Sequence, residues 1–247
     1  MQIKQSGKTE VAGVLNHPAR LRPILLNCLC LLVALIAAAP QSAQAHVSCK
    51  TDEVDREAAK KAGHPRPVES QLVVEDQGSF GNYQIFAAGE DSKLFSAGVE
   101  YDRHSWGCFL GAQVYWVAEV LPFLLLDEPA SLNYYGVQRS QNKQYVPGAG
   151  IIPIGFQLRW RHDRAIKPYL MAKGGILGFT QKAESPNASY ENFTLRSEVG
   201  LEVRLRPRLD LRMGVGDSHF SNGFVVPSNP GLDVMSYMGG VVWHLHQ

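Results

Sequence analysis

His219 and Ser221, followed by Asp233, are residues whose types and spacing suit acyl transfer. A serine hydroxyl is a weak nucleophile until an imidazole takes its proton. The imidazole in turn needs a carboxylate to fix its tautomer and stabilise its charged form. His-x-Ser is a common triplet, and the same residues also read as the polar end of a strand beside an Asn/Gly/Pro turn. The elements carrying them bear on the choice. Strand side chains alternate faces, so Leu209, Leu211, Met213, Val215, Asp217, His219 and Ser221 share one face, and Asp210, Arg212, Gly214, Gly216 and Ser218 share the other. Asp233 opens a second alternating run with Met235, Tyr237, Gly239, Val241, Trp243 and Leu245. Pairing of the two runs as a hairpin would bring a hydroxyl, an imidazole and a carboxylate together on one apolar surface.

The segments H-F-S-N-G at 219–223 and P-S-N-P-G-L-D at 227–233 resemble the C-terminal signature of the lipid A 3-O-deacylases, outer-membrane β-barrel enzymes also described as acyloxyacyl hydrolases. The resemblance implies Ser221 as nucleophile, His219 as base and Asp233 in the acid position, where that family carries Glu. It also implies Asn222 and the neighbouring Gly223 backbone at the oxyanion hole, with Asn229 in the loop that shapes the site. An Asp is one methylene shorter than a Glu, so its bond to His219 requires closer strands or a shifted loop. The implied substrate is the ester-linked 3-hydroxyacyl chain of lipid A in lipopolysaccharide. The implied surroundings are outer-membrane lipids, no cofactor or metal is called for, and a homodimer is compatible with the resemblance.

The rest of the chain reads as the scaffold for that hairpin. Period-two runs recur from Gly78 onward. They include Tyr83, Ile85 and Ala87; Phe95 to Tyr101; Cys108 to Val120; Ile152, Ile154, Phe156, Leu158 and Trp160; a less regular Gly-rich run at 165–180; and Phe193 to Leu205. With the two runs of the hairpin these make eight, a common number for closing a small antiparallel barrel. The expectation is an all-β, eight-stranded antiparallel transmembrane barrel over 78–247. Alternation alone does not separate a membrane barrel from a soluble one. An export signal favours the membrane, as do charges on the polar faces, including Glu119, Arg159, Lys173, Arg196, Glu198, Glu202, Arg204 and Arg212. Tyr101, Trp106, Tyr115, Trp116, Trp160 and Trp243 near strand ends suit interfacial girdles.

Residues 1–45 read as a signal peptide with a long leader. Arg20 and Arg22 precede an apolar run from Ile24 to Ala39, and Ala43-Gln44-Ala45 is a small-x-small cleavage site. Residues 46–77 read as a short charged periplasmic extension, with a short helix at 52–63 ended by Gly63. Cys49 and Cys108 are the cysteines of the exported chain, and in an oxidising compartment they can form one disulfide. The net charge is +1, and residues 1–45 contribute Lys4, Lys8, Arg20 and Arg22 against Glu10, so the remainder carries no basic excess. Nucleic acid is not an expected partner.

The remaining motifs carry less. His244-x-His246 lacks a third ligand nearby and reads as a solvated tail, and His104 reads as a strand end near water. The 127–148 segment reads as a long loop that either lies exposed or covers substrate. Two alternatives to a lipid A esterase stay open: a non-enzymatic outer-membrane barrel for envelope structure or adhesion, and a soluble lipid-binding barrel in the periplasm.

Overall fold

Eight antiparallel strands, each hydrogen-bonded to the next and the last to the first, close into a barrel. They are β1 (Ser70–Tyr83), β2 (Lys93–Phe109), β3 (Ala112–Pro129), β4 (Lys143–Arg159), β5 (Ile166–Phe179), β6 (Glu191–Arg206), β7 (Leu209–Ser221) and β8 (Leu232–His246). The computed structural model describes residues 54, 57–63 and 68–246, without the side chain of His246. The expected signal segment 1–45 and Cys49 lie outside the described residues. Cys108 is disulfide-bonded. The expected short helix is present as a helical stretch at 57–61, followed by a turn that ends at Gly63, whose φ is 76°.

The barrel starts earlier than the alternation indicates. β1 begins at Ser70, inside the segment expected to be an extension, and residues 84–92 form a loop where Ile85 and Ala87 were expected in a strand. The cause is the polarity of its inward face: Gln71, Glu75, Gln77 and Ser79 are buried in the lumen, so the segment reads as charged rather than as a strand. β4 also departs from strict alternation. A register shift between Ile151 and Ile154 turns Ile152 inward and leaves Ile151 and Ile154 exposed. A bulge adds a residue and reverses the phase.

The lumen is filled in two chemically different layers. At its centre the Lys173 ammonium lies 2.6 Å from Glu75, 2.6 Å from Glu100 and 2.9 Å from Glu119. Arg212 pairs with Glu100, with Asp102 at 2.6 Å and with Glu202 at 2.9 Å, and Arg159 lies 3.0 Å from Glu202. The charges expected on the polar faces are therefore inside and in ion pairs, except Glu198, which is buried and accepts from the Tyr169 hydroxyl, and Arg204, which is exposed at the barrel mouth and donates to the His162 carbonyl at 3.2 Å. Tyr115, expected in an interfacial girdle, is instead fully buried in the lumen, where Arg159 stacks 4.1 Å from its ring centroid. Toward the end that carries the longer loops the filling becomes apolar: Leu94, Leu121, Leu124, Leu126, Phe179, Phe220, Leu232 and Val234 belong to one buried cluster.

Removing one partner from a buried charge network leaves uncompensated charge, which costs about 3–5 kcal/mol. Lys173→Met is expected to lose that much stability, because three carboxylates would then face one another across the lumen. Urea titration of the refolded barrel, followed by its heat-modifiable gel migration, measures the loss.

Four longer loops, 84–92, 130–142, 180–190 and 222–231, lie at one end; the links 110–111, 160–165 and 207–208 lie at the other. The long loop expected at 127–148 is shorter than that, because β3 and β4 extend into it. The loops are tied together. Ser228 and Ser185 both donate to the Tyr134 carbonyl, at 2.7 and 3.2 Å. Beneath them Glu184 is fully buried, and the Glu128 carboxylate accepts its backbone N–H at 2.7 Å. Burial pushes the Glu184 carboxyl well above the ordinary 4.5, and the Glu128 charge adds to the shift. The folded loops thus retain a proton that the unfolded chain releases above pH 4.5, so this group lowers stability as pH rises. Glu184→Gln is expected to raise the thermal midpoint at pH 8 and leave it unchanged at pH 4, a difference that parallel melts would resolve.

Candidate active site

Phe220 sets the orientation of the site. It is 1% exposed and packs in the apolar filling, with its ring centroid 5.4 Å from that of Phe179. Because neighbouring strand residues face opposite ways, His219 and Ser221 are directed to the outer surface. On β8 the same logic holds: Leu232 and Val234 point into the filling, so Asp233 between them points outward. The register pairs Phe220 with Leu232 and His219 with Asp233. Directly opposed residues bring their side chains within reach of one another.

The three side chains meet in the order expected of a relay. His219 Nδ1 lies 2.6 Å from Asp233 Oδ1, and His219 Nε2 lies 3.1 Å from Ser221 Oγ. With the proton on Nδ1 donated to the carboxylate, Nε2 is left as an acceptor for the serine hydroxyl. The shorter acid reaches the imidazole without a break in strand register.

Asp233 is fully buried although it points outward, because the 84–92 loop covers it. Its Oδ2 accepts the backbone N–H groups of Ile85, Phe86 and Ala87 at 2.9, 2.7 and 3.0 Å. The loop is docked beside β8 by Ala88 N–H to the Pro230 carbonyl, 2.7 Å, and Gly89 N–H to the Gly231 carbonyl, 3.1 Å. The Phe86 ring stands edge-on to His219, with centroids 6.0 Å apart. These contacts escape sequence reasoning because backbone amides carry no residue signature and the loop is remote in sequence from the hairpin.

Asn222, Gly223 and Asn229 lie in the loop beside Ser221, with roles that differ from one another. The Asn222 side chain is 2% exposed and committed to the loop: Nδ2 donates to the Ser228 carbonyl at 2.7 Å and Oδ1 accepts from Phe224 N–H at 2.9 Å. Its backbone N–H donates to Asn229 Oδ1 at 2.8 Å. Asn222 and Asn229 thus build the turn. Gly223 takes a left-handed φ of 61°, and its Cα packs on the Phe193 ring, where a Cβ would come within 3.0 Å.

Other sequence candidates fall elsewhere. His244 is not a solvated tail residue; it is 2% exposed in the lumen, and its Nε2 lies 3.0 Å from Asp210 Oδ2, because β8 continues through it. His104 is likewise buried rather than near water, with Nε2 3.0 Å from the Gly107 carbonyl and its ring against Tyr115. Glu75, Glu100 and Glu119 are close enough together to hold a cation, and the Lys173 ammonium contacts all three.

Residues 98–241, more than half of the chain, match the family model described as lipid A 3-O-deacylase (PagL). The chain belongs to the lipid A 3-O-deacylase (PagL) family. It is accordingly an outer-membrane β-barrel protein, and the eight-stranded architecture expected from the alternation is the one that forms. Among solved structures, the chain is similar to the outer membrane enzyme PagL, with 18% identity, 68% of this chain and 97% of that one covered, and a TM-score of 0.49. It is also similar to the outer membrane protein OprG from Pseudomonas aeruginosa, at 11% identity, with 74% and 98% covered and a TM-score of 0.42. A third likeness is to the E. coli outer membrane protein W, at 9% identity, with 73% and 99% covered and a TM-score of 0.45. No curated protein sequence matches the chain.

Proposed function

We propose that the protein hydrolyses the ester-linked 3-hydroxyacyl chain at the 3 position of lipid A, with Ser221 as nucleophile, His219 as general base and Asp233 as the acid that orients His219. The observation that carries this reading is the unbroken chain of contacts from Asp233 through His219 to Ser221 on the outer surface of the barrel. Family membership supplies the substrate class.

In an outer-membrane barrel the longer loops face outward from the cell and the short links face the periplasm. On that orientation the triad sits near the outer interface, where an ester just below a headgroup reaches it by lateral diffusion. Exposed apolar side chains surround the position: Phe193, Phe224 and Val225 offer a surface to acyl chains. Ser221 Oγ attacks the ester carbonyl as His219 Nε2 takes its proton. The oxyanion is stabilised by the Gly223 N–H, since the Asn222 amide is buried and turned into the loop and its backbone N–H is bonded to Asn229. The imidazolium then protonates the departing sugar oxygen. Water, activated by the same His219, releases the 3-hydroxy fatty acid and restores Ser221. Neither a metal nor a cofactor takes part, and the partners are lipid A and the surrounding lipids.

Incubation of the refolded protein with lipid A and, separately, with phosphatidylethanolamine tests the substrate. Gas chromatography of the liberated acids should show 3-hydroxy fatty acid from lipid A and none from the phospholipid. Comparable release of unsubstituted fatty acid from phosphatidylethanolamine would make the protein a phospholipase and overturn the reading.

A further inference from the structure

The 84–92 loop belongs to a hairpin far in sequence from the triad, yet it makes three of the four hydrogen bonds that reach the Asp233 carboxylate. We propose that the backbone amides of Ile85, Phe86 and Ala87 form a positioning cradle for the acid of the triad. They hold Asp233 Oδ2 so that Oδ1 is presented to His219 Nδ1. This inference rests on the proposed esterase reading for its catalytic consequence, though not for its geometry.

An aspartate carboxyl turns about a broad terminal torsion, so one hydrogen bond to an imidazole does not fix its plane. Three donors on the other oxygen do. Hydrogen bonds to an ionised acceptor are shorter and stronger than neutral ones, and here they come from consecutive amides of a docked loop. The docking depends on close backbone approach. A Cβ on Gly89 would lie 2.4 Å from the Gly231 carbonyl oxygen and 2.7 Å from Glu184 Oε2, so only glycine lets 88–89 bond to 230–231, just before Asp233. The loop therefore couples the first hairpin of the barrel to the chemistry of the last. A loop serving only to bury an aspartate would need no such alignment and would leave the His219 hydrogen bond unchanged when perturbed.

The test compares Phe86→Pro, which deletes the shortest N–H of the cradle, with Phe86→Leu, which keeps it, and with Gly89→Ala, which displaces the loop without touching the three amides. Two readouts are taken on refolded protein whose heat-modifiable migration shows a closed barrel. The first is kcat and KM on lipid A in detergent; the second is the low-field proton resonance of His219 Nδ1–H. Phe86→Pro and Gly89→Ala should each lower kcat about ten- to a hundredfold, the effect of losing one hydrogen bond to a charged group. Their KM should stay within about threefold of the parent. In both, the low-field proton should move upfield or broaden away, and Phe86→Leu should retain the resonance and recover most of kcat. Equal losses in Phe86→Leu and Phe86→Pro would assign the effect to the ring and overturn the cradle. Unchanged kcat and an unchanged resonance in Phe86→Pro and Gly89→Ala would also overturn it. If the parent protein leaves lipid A intact, the esterase reading fails separately, and the resonance still decides the cradle.

Discussion

Asp233→Asn is expected to lower kcat/KM on lipid A by about 10⁴-fold, the scale seen when a triad acid is replaced by its amide. The geometry gives the reason. Three backbone N–H groups converge on one side of the carboxylate, so the amide oxygen of an asparagine must take that side. Its NH2 group then faces His219 Nδ1. The imidazole can accept that donor only with its proton on Nε2, and a protonated Nε2 cannot take the proton of Ser221. The substitution preserves shape and packing while enforcing the wrong tautomer. Steady-state kinetics beside a thermal melt check it: the rate should collapse while the midpoint stays near that of the parent. Retention of more than a tenth of the parent rate would remove Asp233 from the relay.

Ser221→Ala should be more severe, with kcat falling about 10⁶-fold, as when a triad nucleophile is lost. Ser221 is partly exposed at the strand end and its hydroxyl contacts the imidazole, so the alanine removes little besides the nucleophile. Binding of lipid A to the barrel surface should persist, because the exposed aromatic side chains around the site are untouched. Acid release measured at high enzyme concentration reads the loss. A residual rate within about tenfold of the parent would place the attacking group elsewhere.

The hairpin was the most legible part of the sequence. Alternation from Leu209 to Ser221 placed His219 and Ser221 on one face, and the register to β8 brings Asp233 opposite His219. Side-chain type and period carry that information directly. What stayed hidden depends on long-range context. β1 presents a polar face to a polar lumen, so its early residues look like an extension until Lys173 and Arg212 are known to lie opposite Glu75. Alternation puts Ile152 on the outer face, and the bulge reverses the phase without changing composition, so it lies inside. Tyr115 and His244 have the residue types of an interfacial girdle and a solvated tail, and both are buried against lumen charges. At the site, Asn222 carries the residue type of an oxyanion donor, yet its amide is buried and turned to the Ser228 carbonyl and its backbone N–H to Asn229. The cradle at 85–87 is backbone alone, and no reading of side chains reveals it.

Mass spectrometry of purified lipid A, before and after incubation with the refolded protein in detergent, tests the central claim most directly. The account predicts the loss of one 3-hydroxyacyl chain from the 3 position by the parent protein, and intact lipid A beside Ser221→Ala. Intact lipid A after incubation with a parent barrel whose gel migration shows it to be folded would contradict the account and leave a membrane barrel without this chemistry.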